Sequence, residues 1–119
     1  MEPVLVCASA ELEEGGRGCR FPVRSAWGLG TGFVVRYEGV LYAYLNQCAH
    51  VPVELDWQEG QFFDDSGLYL ICATHGATYE TNTGYCVMGP CRGKRLHKID
   101  IEEKAGQVYW LPNENFKPI

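Results

Sequence analysis

The 119-residue sequence predicts an all-β fold, on three observations. Short runs rich in β-branched and aromatic residues are separated by turn residues throughout. Fourteen glycines and six prolines break every window in which a long helix would form. No apolar pattern at helical spacing persists for three turns. A hairpin is expected where Phe33-Val34-Val35-Arg36-Tyr37, led in by Gly30-Thr31-Gly32, meets Glu38-Gly39 and then the apolar run 40–45. A second is expected where Asp64-Asp65-Ser66-Gly67 separates 61–63 from 68–71. A third joins 96–102 to 107–111 through Lys104-Ala105-Gly106. Within 96–102, Leu96, Lys98, Asp100 and Glu102 share one parity and His97, Ile99 and Ile101 the other, which suits a half-exposed strand. Neither a linker nor a repeat is visible, so residues 1–119 read as one domain with a variable N-terminal lead-in.

Composition narrows the function. With 46% hydrophobic and 21% charged residues, the chain is ordinary globular material. Its net charge of −5 argues against nucleic acid as a partner. No run is long and apolar enough to span a membrane, and the start Met1-Glu2-Pro3-Val4 lacks a secretory pattern, so no membrane and a cytoplasmic address are expected. Charge is uneven along the chain. Glu54, Asp56, Glu59, Asp64 and Asp65 fall in one stretch without a basic residue, and Arg92, Lys94, Arg95 and Lys98 cluster in another. Both read either as solvated loops or as surfaces that steer a partner.

Six cysteines without a secretory signal point to metal binding before disulfides. Two motifs stand out, Cys48-Ala49-His50 and Cys72-Ala73-Thr74-His75, with twenty-one residues between His50 and Cys72. Each pairs one thiolate with one imidazole, and each follows an expected strand, so two strand-end loops can grip a small cluster from both sides. Two thiolates on one iron and two neutral imidazoles on the other raise a [2Fe–2S] potential to between about −150 and +300 mV. In that arrangement Cys48 and Cys72 hold an inner iron and His50 and His75 an outer, solvent-facing iron, with a pH-dependent potential. A mononuclear zinc site is the main alternative, although zinc modules usually group the cysteines before the histidines. Two buried thiols with incidental histidines is the other.

The assembled residues resemble the Rieske [2Fe–2S] domain family, in particular its small soluble ferredoxins. Asn46-Gln47-Cys48-Ala49-His50 is similar to the family's first cluster loop and 72–79 to its second. Thr83-Gly84 followed by Gly89-Pro90 resembles its turn and proline loop. The likeness is clearest over 30–111. It implies three small antiparallel sheets, one [2Fe–2S] cluster on Cys48, His50, Cys72 and His75 in two loops at one tip, and Gly76, Ala77, Tyr79, Gly89 and Pro90 around it. Gly76 would let the backbone approach sulfur, and Gly89-Pro90 would cover the cluster. Ala77 stands where respiratory members have a serine donor, while Tyr79 keeps their tyrosine and either donates to sulfur or packs the core. The inter-motif segment is longer than is usual, which predicts an acidic hairpin around 54–65 that redefines the docking face. The disulfide between the cluster loops of respiratory members is not expected.

The resemblance implies a one-electron carrier between a reductase and a terminal oxygenase or oxidase, not an enzyme by itself. A redox-sensing accessory subunit and a zinc-bound interaction module are the alternatives. Cys86 and Cys91 flank the proline loop and read as inert thiols, a local disulfide or a redox-sensitive pair. Cys7 and Cys19 carry no readable signal, His97 reads as a strand residue, and the three tryptophans as packing.

Overall fold

Three consecutive apolar residues, Phe33-Val34-Val35, are fully buried although neighbours on a strand point to opposite faces. The strand that holds them must therefore be covered on both sides, and this requirement sets the architecture. The structure, a computed structural model, describes residues 2–119; Met1 lies outside the described residues. Nine strands run in chain order among these residues: β1 (Val4–Ala8), β2 (Cys19–Ser25), β3 (Gly28–Tyr37), β4 (Val40–Leu45), β5 (Tyr69–Ile71), β6 (Thr78–Glu80), β7 (Cys86–Met88), β8 (Ile101–Lys104) and β9 (Gln107–Trp110). A 3₁₀ turn at Ser9–Glu11 is the one helical element among them. They form three antiparallel three-stranded sheets, ordered β1-β9-β8, β2-β3-β4 and β5-β6-β7. None of the described helices is long and apolar enough to cross a membrane.

The central sheet β2-β3-β4 divides two cores. Phe33 and Val35 of β3 and Tyr44 of β4 face the third sheet, where Leu55, Phe62, Leu70, Tyr79 and Leu96 complete one cluster. Val34, Ala43 and Leu45 face the other way, onto Phe21, Val23, Ile99, Val108 and Trp110. Parity along one strand thus sorts side chains between the two cores. Phe62 stacks on Phe33 with ring centroids 3.9 Å apart, a pairing that adds roughly 1 kcal/mol beyond its buried area.

The first expected hairpin forms as β3-β4. Glu38 and Gly39 have φ values of 51° and 77°, the two positive angles of a type I′ turn, whose twist matches that of the strands. Glu14 offsets the strain at Glu38, since its carboxylate accepts from the backbone N–H groups of both turn residues. The second hairpin forms around Asp64–Gly67 but is reduced to one bridge, Phe63 opposite Leu70. The third is shorter than expected. Only Ile101–Lys104 pairs with β9, across Ala105-Gly106. Residues 97–99 leave that sheet and lie along β4, where Leu45 N donates to His97 O and Ile99 N to Ala43 O. Leu96 then enters one core and Ile99 the other, so the half-exposed strand read over 96–102 is two extended pieces serving two sheets.

The N-terminal lead-in is likewise structured. β1 pairs with β9 from the far end of the chain, and β2 pairs with β3 along its whole length. Pro22 is tolerated in β2 because β2 is an edge strand, where a missing N–H disrupts no inner ladder.

Candidate metal centre

The Cys48 loop leaves β4 at Asn46 and folds back at once, with Cys48 N donating to Val53 O at 2.8 Å. Side chains hold the segment beyond Val53. Asn46 is buried; its Nδ2 donates to Asp56 Oδ1 at 2.8 Å and its Oδ1 accepts from Leu55 N at 2.8 Å. The other oxygen of Asp56 accepts from Gly60 N at 2.9 Å. Arg20 of β2 reaches across to Glu54 at 2.7 Å and lies 3.7 Å from Asp56 and 3.8 Å from Glu59. The stretch 54–65 is accordingly not the acidic hairpin that its charges suggest. It is a looped segment in which Asp56 is buried and Arg20 pairs closely with Glu54 and more distantly with Asp56 and Glu59.

The Cys72 loop leaves β5 directly and closes on its own backbone. Cys72 N donates to Ala77 O at 2.8 Å, Gly76 N to Cys72 O at 2.9 Å, and Thr78 Oγ1 to Gly76 O at 2.9 Å. Gly76 makes this closure with φ of 75°, a region costly for any residue with a Cβ. Among protein atoms nothing lies within 4 Å of where that Cβ would stand. Backbone approaches backbone closely at Gly89, where a Cβ would sit 2.9 Å from Ala77 Cα. The Gly89-Pro90 loop thus rests directly on the Cys72 loop. One backbone bond ties the two cysteine loops together, from Ala73 N to Leu55 O at 3.0 Å.

Between the loops the structure brings the four motif residues together as two pairs. Cys48 and Cys72 are buried and adjoin one another. His50 is half-buried and His75 exposed, their rings edge to face with centroids 5.1 Å apart. Thiols lie inside and imidazoles outside. Among the described residues, no three histidine, cysteine or carboxylate side chains gather at one point.

Tyr79 sits behind the thiols, fully buried in the core, with its hydroxyl 3.1 Å from Cys48 Sγ, 2.9 Å from Ala49 N and 3.3 Å from Cys91 Sγ. It both packs the core and reaches sulfur. Burial raises its pKa, and contact with Cys48 and Cys91 raises it further, so the proton stays on the hydroxyl. The two thiols diverge. Burial pushes Cys48 up, but the Tyr79 hydroxyl and the backbone amides of His50 and Val51 outweigh it and hold Cys48 below the ordinary thiol range. Cys72 is raised, chiefly by burial. Ala77 is buried and offers no side-chain donor.

Two determinants of the site, Asp56 and Arg20, carry no local sequence signal that marks them as such, and Asn46 carries only its place in the motif 46–50. Of the other aromatic and histidine residues, Trp110 is buried, Trp27 and Trp57 are exposed, and His97 is exposed against Trp27.

The profile of the Rieske [2Fe-2S] domain family matches residues 2–115. The chain belongs to that family. The match includes β1 and β2, outside the 30–111 over which the motifs alone are legible. Solved Rieske structures share the fold. The ferredoxin of carbazole 1,9a-dioxygenase from Nocardioides aromaticivorans IC177 superposes with a TM-score of 0.72 at 23% identity, covering 95% of this chain and all of the ferredoxin. A chain of the complex of reduced oxygenase and oxidized ferredoxin in carbazole 1,9a-dioxygenase gives 0.69 at 26% identity, with 91% of each chain covered. The terminal oxygenase from N. aromaticivorans IC177 gives 0.73 at 19% identity, and there the match spans only 32% of the oxygenase. No curated protein matches the chain significantly in sequence.

The cofactor of a Rieske domain is one [2Fe–2S] cluster, and the residues present fit it. Two adjoining buried thiols and two outward imidazoles are the mixed donor set that such a cluster needs. His50 Nδ1 is buried without a hydrogen-bond partner, an atom whose desolvation a metal bond would offset.

Proposed function

We propose that this protein is a cytoplasmic one-electron carrier of one domain, moving electrons between a reductase and a terminal oxygenase or oxidase. The observation that carries the reading is the arrangement of the two pairs: Cys48 and Cys72 buried behind, His50 and His75 at the surface. When bound, a Rieske cluster takes up and returns a single electron at a potential above that of an all-cysteine cluster. Cys48 and Cys72 would hold its inner iron, and His50 and His75 its outer iron. Tyr79 offers its proton to Cys48 Sγ, which favours the reduced form by stabilising added negative charge. Gly89 lays the proline loop against Ala77 and limits water on that side. The imidazole edges leave a short path from the centre to a docked partner. The likeness to a chain of the complex of reduced oxygenase and oxidized ferredoxin, at 26% identity, supports pairing with an oxygenase.

The test is film voltammetry of the purified holo-protein, with its visible spectrum tracked through repeated chemical reduction and reoxidation. A carrier gives a reversible one-electron wave and keeps its cluster over many cycles. Cluster breakdown on each oxidation would overturn the carrier reading in favour of a sensor, and a colourless zinc protein would overturn both.

A further inference from the structure

We propose that Cys86 and Cys91 close a reversible disulfide, and that closing it turns the Tyr79 hydroxyl toward Cys48. Strand β7 begins at Cys86, the chain rounds Gly89-Pro90, and Cys91 returns with its Sγ 2.9 Å from Cys86 Sγ. Backbone bonds hold the two ends in place: Cys86 N to Lys94 O at 2.8 Å, Lys94 N to Cys91 O at 2.9 Å and Gly93 N to Cys86 O at 3.2 Å. The loop is thus closed before any covalent bond forms, and joining the sulfurs costs little further entropy in the native state.

The step balances as a thiol–disulfide exchange. Both S–H bonds break and one Sγ–Sγ bond forms. Two electrons and two protons pass to a low-molecular-weight disulfide of the glutathione class, which departs as two thiols. Both thiols are buried, yet Met88, Gly89, Pro90 and Arg92 around them are exposed, so a local opening of this surface loop admits the oxidant. Burial and Cys86 push the Cys91 thiol up to about 11, so Cys91 is seldom the attacking thiolate near neutral pH.

The consequence passes through Tyr79. Its hydroxyl carries one proton and has two sulfurs in reach, Cys91 at 3.3 Å and Cys48 at 3.1 Å. In the dithiol state Cys86 donates to Met88 O and Cys91 to Cys86, which leaves Cys91 Sγ free to compete for that proton. A disulfide sulfur is a poorer acceptor, so the proton goes to Cys48, the thiol that the site assigns to the cluster. This pair is distinct from a bridge between the two cysteine loops, since both its members lie in the proline loop.

The experiment equilibrates the holo-protein in glutathione buffers of rising disulfide content. It then unfolds it anaerobically with chelator and alkylator and weighs the intact chain. The expected result is two fewer labels than the six cysteines allow, recovered on returning to reducing buffer. The loss should persist in Cys7→Ser, which removes the contact between Cys7 and Cys19, the other adjoining thiols outside the two motif loops, and vanish in Cys86→Ser and in Cys91→Ser. Full labelling at the most oxidising ratio, or a glutathione adduct in place of the bridge, would overturn the disulfide. The cluster's midpoint potential, read in the same buffers, should move upward in the wild type and stay fixed in Cys86→Ser. An unmoved potential despite a formed bridge would overturn the role given to Tyr79.

Discussion

The Cys48 loop and the Cys72 loop present similar motifs, but they are held in opposite ways. The Cys72 loop closes mainly on itself: apart from Ala73 N to Leu55 O, its backbone bonds run between 72 and 77, and one glycine with positive φ lets it close. The Cys48 loop has little such closure beyond Cys48 N to Val53 O, and it depends on groups outside itself. Asn46 and the buried Asp56 fasten it, Arg20 on another strand meets the carboxylates beyond it, and Phe62 pins the end of the segment beneath β3. A loop of four or five residues can be shaped by local backbone geometry. A longer excursion has more conformations to exclude, and side-chain networks do that work. The difference also bears on tuning, since the Tyr79 hydroxyl addresses Cys48 and not Cys72.

If that contrast is correct, the largest effect on stability comes from Asn46→Ala. It leaves Leu55 N unsatisfied and strips a donor from a buried carboxylate, at a cost on the order of 3 kcal/mol. A lower urea midpoint and faster loss of the visible spectrum on warming would show it. Tyr79→Phe should be milder in stability but direct in chemistry. Losing a hydrogen bond that strengthens by about 1 kcal/mol when the sulfur gains charge on reduction lowers the potential by roughly 40 mV for a single electron. Redox titration of the two proteins side by side measures that. Gly76→Ala should cost the least, about 1 kcal/mol, because it forces a Cβ into left-handed backbone without meeting protein atoms. Should it instead prove worse than Asn46→Ala in urea, the self-closing loop would be the fragile one.

The chemistry was legible along the chain because histidine is scarce and two of the three histidines stand at short offsets from cysteine. Such local spacing survives in one dimension. Turn position was legible from Gly39 and Gly106, which take positive φ freely, whereas the positive φ of Glu38 and Ala105 is not announced by their residue types. What escaped was long-range or masked. β1 finds its partner about a hundred residues away, and nothing in a five-residue apolar run names that partner. Pro22 disguised β2, whose edge position is a property of the sheet. Asp56 sat in a run of acids and looked solvated; only the fold shows that Asn46 draws it inside while Glu54 stays out with Arg20.

Pulsed electron paramagnetic resonance on the dithionite-reduced holo-protein, with iron and zinc quantified on the same sample, tests the central claim most directly. Ligation by Cys48, Cys72, His50 and His75 predicts a rhombic signal from a reduced [2Fe–2S] centre, couplings to two imidazole nitrogens and two irons per chain. A reduced cluster without nitrogen coupling would contradict the histidine assignment. A silent, colourless protein holding one zinc per chain after anaerobic reconstitution would contradict electron transfer altogether.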